Sequence, residues 1–366
     1  MQRALEAVSK LSPGAWGKAK RALASGLSGA SLRSSPRHPA FTLVFKHILL
    51  VQLIGLLLTG CGSSSGGDKK HQIAVIPKGT THVFWKSVHA GAQKAARELG
   101  NVEIYWKGAY SEGDQVGQIQ VVENCVVEQF KGIVLAPLDR TALVHVVREA
   151  KKQGIPTVIF DSALDDESSI VSYVATDNYR SGQLAARELG KRLGGKGNAI
   201  LLRYAPGSES TEQREKGFLD AITKEFPDVK MLSDNQYAGT TQESALDKSL
   251  ALLSQFGDQV QGIFTVCEPI TVGMLKALEQ EGLAGKVVFI GFDPSPHLIQ
   301  AMSQGKIQGI VLQDPVNMGY QGVKTMVAHL EGKPVAKRIP TGETVATPEN
   351  MNTPEIKRLL SPEQAD

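Results

Sequence analysis

The sequence predicts an α/β protein organised in parallel-sheet domains, and three observations carry that prediction. From His71 onward, short β-branched runs alternate with helix-length amphipathic segments. Such alternation implies parallel strands covered by helices on both faces. The strands are too many for one open sheet of ordinary width, so two domains are expected.

The elements follow in order. A strand at Gln72–Ile76 leads to a helix at Phe84–Leu99, where Phe84, Val88, Ala92, Ala95 and Leu99 recur every three or four residues. Trp85 lies off that stripe. Next come a strand at Glu103–Trp106, a helix near Gln115–Gln129, a strand at Gly132–Ala136, a helix at Thr141–Gln153 and a strand at Thr157–Phe160. Gly154 stops the helix before it, and Pro156 opens the strand where a missing N–H is tolerated. A second series begins with a strand at Val171–Ala175 and a helix at Tyr179–Leu193, and Gly194-Gly195-Lys196-Gly197 turns the chain into a strand at Asn198–Leu202. It continues through a helix at Thr211–Glu225, a strand at Val229–Leu232, a helix at Thr240–Gln255 and a strand at Gly262–Val266. A helix at Ile270–Glu281, strand Val287–Gly291, helix His297–Gln304, strand Gly309–Leu312 and a last helix near Val316–Leu330 complete it.

The net charge of +3 is unevenly spread. Residues 1–60 hold eight of the 40 Lys+Arg and one of the 37 Asp+Glu, so the body is mildly acidic and has no footprint for nucleic acid. Lys46 and His47 precede an apolar run from Ile48 to Leu58, too short to span a bilayer comfortably and apt for a signal-peptide core. It ends in Leu58-Thr59-Gly60-Cys61, which resembles a bacterial lipobox, where the cysteine takes the lipid and becomes the new N-terminus. The expected layout is therefore a signal peptide with a long N-terminal extension over 1–60, then lipidated Cys61 and a Ser/Gly tether over 61–70. Cys125 sits in an apolar helical pattern, and Cys125 and Cys267 show no metal-ligand spacing, so neither a disulfide nor a metal is expected.

Polar and aromatic residues gather where strands end: Pro77 to Trp85, Asp161-Ser162, Cys267-Glu268-Pro269, Asp293-Pro294 and Gln313-Asp314-Pro315. Ligands of open α/β sheets bind outside the carboxyl ends of the strands, so two such sheets face to face would make a small-molecule cleft.

Four segments make the pattern recognisable: Thr81-His82-Val83-Phe84-Trp85 with Gly91-Ala92-Gln93, Ala175-Thr176-Asp177-Asn178, Arg214-Glu215-Lys216-Gly217-Phe218, and Gly291-Phe292-Asp293. In order and spacing they resemble the ribose-binding group of periplasmic solute-binding proteins, which shares its core with the lac repressor family, over about Gln72 to Leu360. The resemblance implies a type I periplasmic-binding-protein fold of two similar doubly wound parallel-sheet lobes. These would be 71–175 plus 314–342 and 176–313 plus 343–366, joined by a three-crossing hinge. It further implies a monomer without cofactor that closes on a monosaccharide and presents it to an ABC permease in the membrane.

Carried over to this sequence, Phe84 and Trp85 would stack on the C–H faces of the sugar. Asp161 would accept from adjacent hydroxyls, and Arg214 would donate a fork to ring and hydroxyl oxygens, with Asp293 and Gln313 as further contacts. Three positions depart from the group's pattern. Ser162 stands where an arginine commonly follows the aspartate, removing five donors, while His82 and Cys267 stand where the ribose binders place asparagines. Thr240 falls near where the second lobe carries an aromatic contact. These departures argue against ribose itself and leave a monosaccharide-like solute.

Other functions find less support. No GxGxxG follows the first strand, where Pro77-Lys78-Gly79-Thr80 stands, and there is no P-loop, nucleophile elbow or HExxH. An enzyme would need Cys267 as nucleophile with His82 as its base across the cleft. A transcriptional regulator would need an N-terminal helix-turn-helix in place of the leader. His82 and His89 lie two helical turns apart without further ligands, so they make no metal site. The alternative to uptake is a sensor that presents the same closed lobes to a membrane receptor.

Overall fold

The computed structural model describes Lys70–Ser361; the apolar run, Cys61 and its tether lie outside the described residues. The first lobe comprises β1 (His71–Ile76), α1 (Val83–Leu99), β2 (Val102–Trp106), α2 (Gln115–Val127), β3 (Gly132–Leu135), α3 (Val144–Lys152), β4 (Thr157–Phe160) and β5 (Ser172–Ala175). The second comprises α4 (Asn178–Arg192), β6 (Lys196–Arg203), α5 (Glu209–Glu225), β7 (Asp228–Tyr237), α6 (Gln242–Phe256), β8 (Gly262–Thr265), α7 (Glu268–Gln280), β9 (Val288–Phe292), α8 (Pro296–Ser303) and β10 (Gly309–Gln313). The chain then returns: α9 (Pro315–Leu330) packs on α1 and β11 (Arg338–Pro340) joins the first sheet. Finally β12 (Glu343–Ala346) and α10 (Pro354–Leu360) belong to the second lobe.

The two six-stranded sheets run β11-β5-β4-β3-β1-β2 and β12-β10-β9-β8-β6-β7, the same winding used twice. Every pairing is parallel except that of β12 with β10. The chain passes between sheets at 175–178, 313–315 and 340–343, which makes the three-crossing hinge. Strands β3, β4 and β8 are buried at every position, as parallel strands with helices on both faces must be.

The helix pairs that flank the cleft approach backbone to backbone. A Cβ on Gly217 would sit 1.9 Å from the Tyr179 carbonyl oxygen, and one on Gly182 would sit 2.0 Å from that of Arg214. Only glycine permits this α4–α5 contact, and the contact fixes the backbone from which Arg214 projects.

Some elements differ from expectation. Asp139 Oδ1 accepts from the Thr141 and Ala142 amides, holding a turn there, so α3 starts at Val144. Strand β7 runs on to Tyr237 as an edge strand with register shifts, and its polar stretch Ser233–Gln236 hides the periodicity. β11, β12 and α10 were not expected from the pattern, being three to seven residues long.

Candidate ligand-binding cleft

The carboxyl ends of the two sheets face one another across a cavity of about 420 Å³, its mouth included. Strands at matching positions of the two windings deliver the same residue type. Asp161 follows β4 and Asp293 follows β9, and both hold left-handed backbone conformations, with φ of 63° and 61°. Aspartate tolerates that region better than most residues, and it turns each carboxylate out of the sheet and into the cleft.

All eight residues singled out in the sequence line this cavity: His82, Phe84, Trp85, Asp161, Arg214, Cys267, Asp293 and Gln313. Phe84 and Trp85 open α1 and meet edge to face with ring centroids 4.7 Å apart. The apolar stripe includes Phe84 and not Trp85, yet Trp85 is the more buried of the two and packs edge-on against Phe160. Its indole N–H reaches Glu112 Oε1 at 2.6 Å, which satisfies the one polar atom that burial would otherwise strand.

Asp161 was expected to lack the cation that the neighbouring arginine would bring. The charge instead arrives from another strand. Lys78, just past β1, puts its Nζ 3.0 Å from Asp161 Oδ2 and 2.6 Å from Ser162 Oγ, with the lysine 4 % exposed. It also donates across the cleft to Ser210 and Ser208 of the second lobe at 3.2 and 3.3 Å. Ser162 thus makes room for a lysine rather than leaving a gap.

Arg214 lies with its guanidinium 3.8 Å from the centroid of the Phe292 ring. Its Nε donates to Asn178 Oδ1 and its Nη1 to the Val266 carbonyl, both at 2.9 Å, while the buried Nη2 has no partner among the described residues. The expected fork is therefore one free arm on a clamped base. Gln313 is likewise engaged, accepting from Thr176 and donating to Asp293 Oδ1, each at 2.8 Å.

The electrostatics are acidic and layered. Burial pushes the Asp293 carboxyl up to about 6, against the pull of Arg214 and Gln313. Burial works against the charge on His82, but Glu112, 2.8 Å from Nδ1, together with Glu268 and Asp293, overrides it and raises the imidazole above its ordinary value. Burial also opposes the charge on Glu112, yet the donors from His82, Tyr204 and Trp85 keep its pKa below the ordinary carboxylate value. Burial drives the Cys267 thiol well up, the opposite of an activated nucleophile.

Several lining residues escaped the sequence reading. Lys78 stood within the strand-end cluster Pro77 to Trp85 without being singled out, and Glu112 and Tyr204 lie in loops with no periodic signal. Tyr204 Oη donates to Glu112 Oε2 at 2.6 Å across the cleft, so the second lobe does present an aromatic, though not at Thr240, which lies outside the cavity lining. At the rim, Glu209 accepts from the Ala163 amide at 2.9 Å and Arg140 pairs with Glu212 at 3.1 Å.

Comparison with known proteins accords with this geometry. The periplasmic binding protein domain matches residues 73–334. The chain is 29% identical over 290 residues to the D-allose-binding periplasmic protein of Escherichia coli, covering 77% of this chain and 90% of that protein. It is 28% identical to the ribose import binding protein of Haemophilus influenzae, covering 80% and 96%. A carbohydrate transporter solute-binding protein from Agrobacterium radiobacter, solved with D-arabinose, superposes with a TM-score of 0.76 at 33% identity, covering 80% of this chain and 99% of the other. One from Agrobacterium vitis with bound D-fucose gives 0.76 at 34% identity, covering 79% and 99%. With its twice-wound sheets, its three crossings and its inter-lobe cavity, the chain belongs to the periplasmic binding protein family, in the ribose-binding group of type I sugar-binding proteins.

Proposed function

We propose that the cleft binds one monosaccharide and that the closed lobes pass it to an ABC permease, the chain being exported as a monomer and held at the membrane by a lipid on Cys61. The observation that carries the binding claim is the cavity wall: an aromatic pair on one lobe, with Asp161 from the first lobe and Arg214 and Asp293 from the second converging on a sugar-sized space. Aromatic faces and charge-assisted acceptors are what a polyhydroxylated ring requires. Four of the similar proteins are named for or solved with D-allose, ribose, D-arabinose or D-fucose, each a monosaccharide, which supports the same class. Binding without turnover accords with the raised thiol of Cys267 and with a His82 ring nitrogen committed to Glu112. His82 and Cys267 in place of amides continue to argue against ribose. The test is a thermal-shift screen against pentoses, hexoses and polyols. A ligand at about 100 times its Kd stabilises the fold by about 2.7 kcal/mol, and no shift with any sugar would sink the proposal.

A further inference from the structure

Four carboxylates line the cavity, and three have partners that account for them. Glu112 takes donors from His82, Trp85 and Tyr204, Asp161 takes Lys78 and Ser162, and Asp293 takes Gln313. Glu268 is different. It opens α7 directly after Cys267 and is 7 % exposed. Its Oε1 accepts a long bond from Gln242 at 3.3 Å, and its buried Oε2 has no hydrogen-bond partner among the described residues. A helix N-terminus eases a carboxylate there, but an unpaired buried oxygen still carries a desolvation cost that a donor would remove. The unpartnered Nη2 of Arg214 lies on the same lobe, so the second lobe offers the cavity one free acceptor and one free donor.

We propose that Glu268 is a ligand-contacting, specificity-determining residue whose Oε2 accepts a hydrogen bond from a hydroxyl or amino group of the bound sugar. This rests on the reading of the cleft as a monosaccharide site and adds to it which chemistry one wall selects. It also predicts rejection of sugar acids that would place a carboxylate at that wall.

The experiment measures Kd by calorimetry for the native protein, Glu268→Ala and Glu268→Gln. The ligands are a sugar that binds the native protein, its monodeoxy series and its amino-substituted analogue. Glu268→Ala should weaken the parent sugar at least about tenfold. One deoxy sugar should bind the native protein at least about tenfold more weakly than the parent and bind Glu268→Ala no worse than the parent does, the two losses being one contact. If the donor is a hydroxyl, Glu268→Gln should keep the parent's affinity within about threefold, because its amide oxygen still accepts. If it is an ammonium, the amino sugar should bind the native protein tighter than the parent, and Glu268→Gln should abolish that preference. An unchanged Kd in Glu268→Ala with only a lowered Tm overturns the assignment and leaves a helix-terminal role, as do losses that add for every deoxy sugar. Absence of any sugar binding to the native protein overturns the sugar reading itself, a result read before any variant is made.

Discussion

Lys78→Met tests whether the cation beside Asp161 is structural as the geometry implies. In the native protein Nζ sits 3.0 Å from Asp161 Oδ2, with both side chains 4% exposed, and also meets Ser162. These contacts lie within the first lobe and do not depend on closure. Methionine matches the aliphatic stem but leaves the carboxylate buried without its cation. Breaking one partner of a buried pair costs about 3–5 kcal/mol, and at about 2 °C per kcal/mol for a chain of this size Tm should fall by about 6–10 °C. The double variant Lys78→Met/Asp161→Asn removes the stranded charge, and asparagine accepts the left-handed φ of 63°. It should recover at least about 2 kcal/mol of the loss. Calorimetric melts of the native protein, the two single variants and the double variant decide it. A single-variant loss below about 1 kcal/mol, or a double variant as unstable as the sum of the singles, refutes the reasoning.

Other outcomes follow from the same site. Arg214→Ala and Asp293→Ala should each weaken sugar binding at least about tenfold, measured by titration calorimetry, while the ligand-free fold survives. Asp293 carries a proton up to about pH 6 in the folded chain but only to about 3.8 as a free carboxyl, so its share of ligand-free stability falls as pH rises through that window. His82 acts in the same direction: its raised value gives stability that is present below 6.5 and lost as pH climbs through the folded value. A sugar hydroxyl donating to Asp293 favours the ionised form, so Kd should weaken about tenfold from pH 7 to pH 5, and Asp293→Asn should remove that dependence. Cys61→Ala should release the protein from membranes in a fractionation assay; if it stays bound, the apolar segment itself is the anchor.

Much of the fold was legible because parallel strands and their helices write two different periods into the chain. The strands buried on both faces, such as Gly132–Leu135 and Gly262–Thr265, read as continuous apolar runs bounded by turns. What escaped were exposed edges, where β11 and the end of β7 carry too little apolar signal to show a period. The site divided along similar lines. Residues fixed at strand ends and helix starts could be carried over from the family pattern, and all eight reach one cavity. The compensation of Ser162 by Lys78 could not be read locally, because 84 positions separate them and only the sheet order brings β1 and β4 to the same edge of the cleft. Trp85 misled for a related reason. A residue in the first turn of a helix answers to the loops around its entry as much as to the stripe below, and Glu112 and Phe160 draw the indole inward.

The bonds that cross the cleft are of two kinds, and they should weigh differently on affinity. Arg140 and Glu212 pair at the rim with side chains 36% and 30% exposed, where water competes and an ion pair contributes about 0.2–1 kcal/mol. Tyr204 Oη and Glu112 Oε2 meet at 2.6 Å inside, where a hydrogen bond to a charged group is worth about 1.5–3 kcal/mol. Both exist only when the lobes are together, so each enters the closing equilibrium and, through it, the apparent Kd. Arg140→Met should therefore weaken binding less than about fivefold, and Tyr204→Phe about tenfold or more. Because Tyr204 also lines the cavity, the cycle with Glu112→Ala, which removes the acceptor, separates the two effects. Loss of the cross-lobe bond makes the variants non-additive, whereas loss of a sugar contact leaves them additive. Equal effects at rim and interior would place the closing energy at the surface and contradict the assignment of the interior bond as the stronger latch.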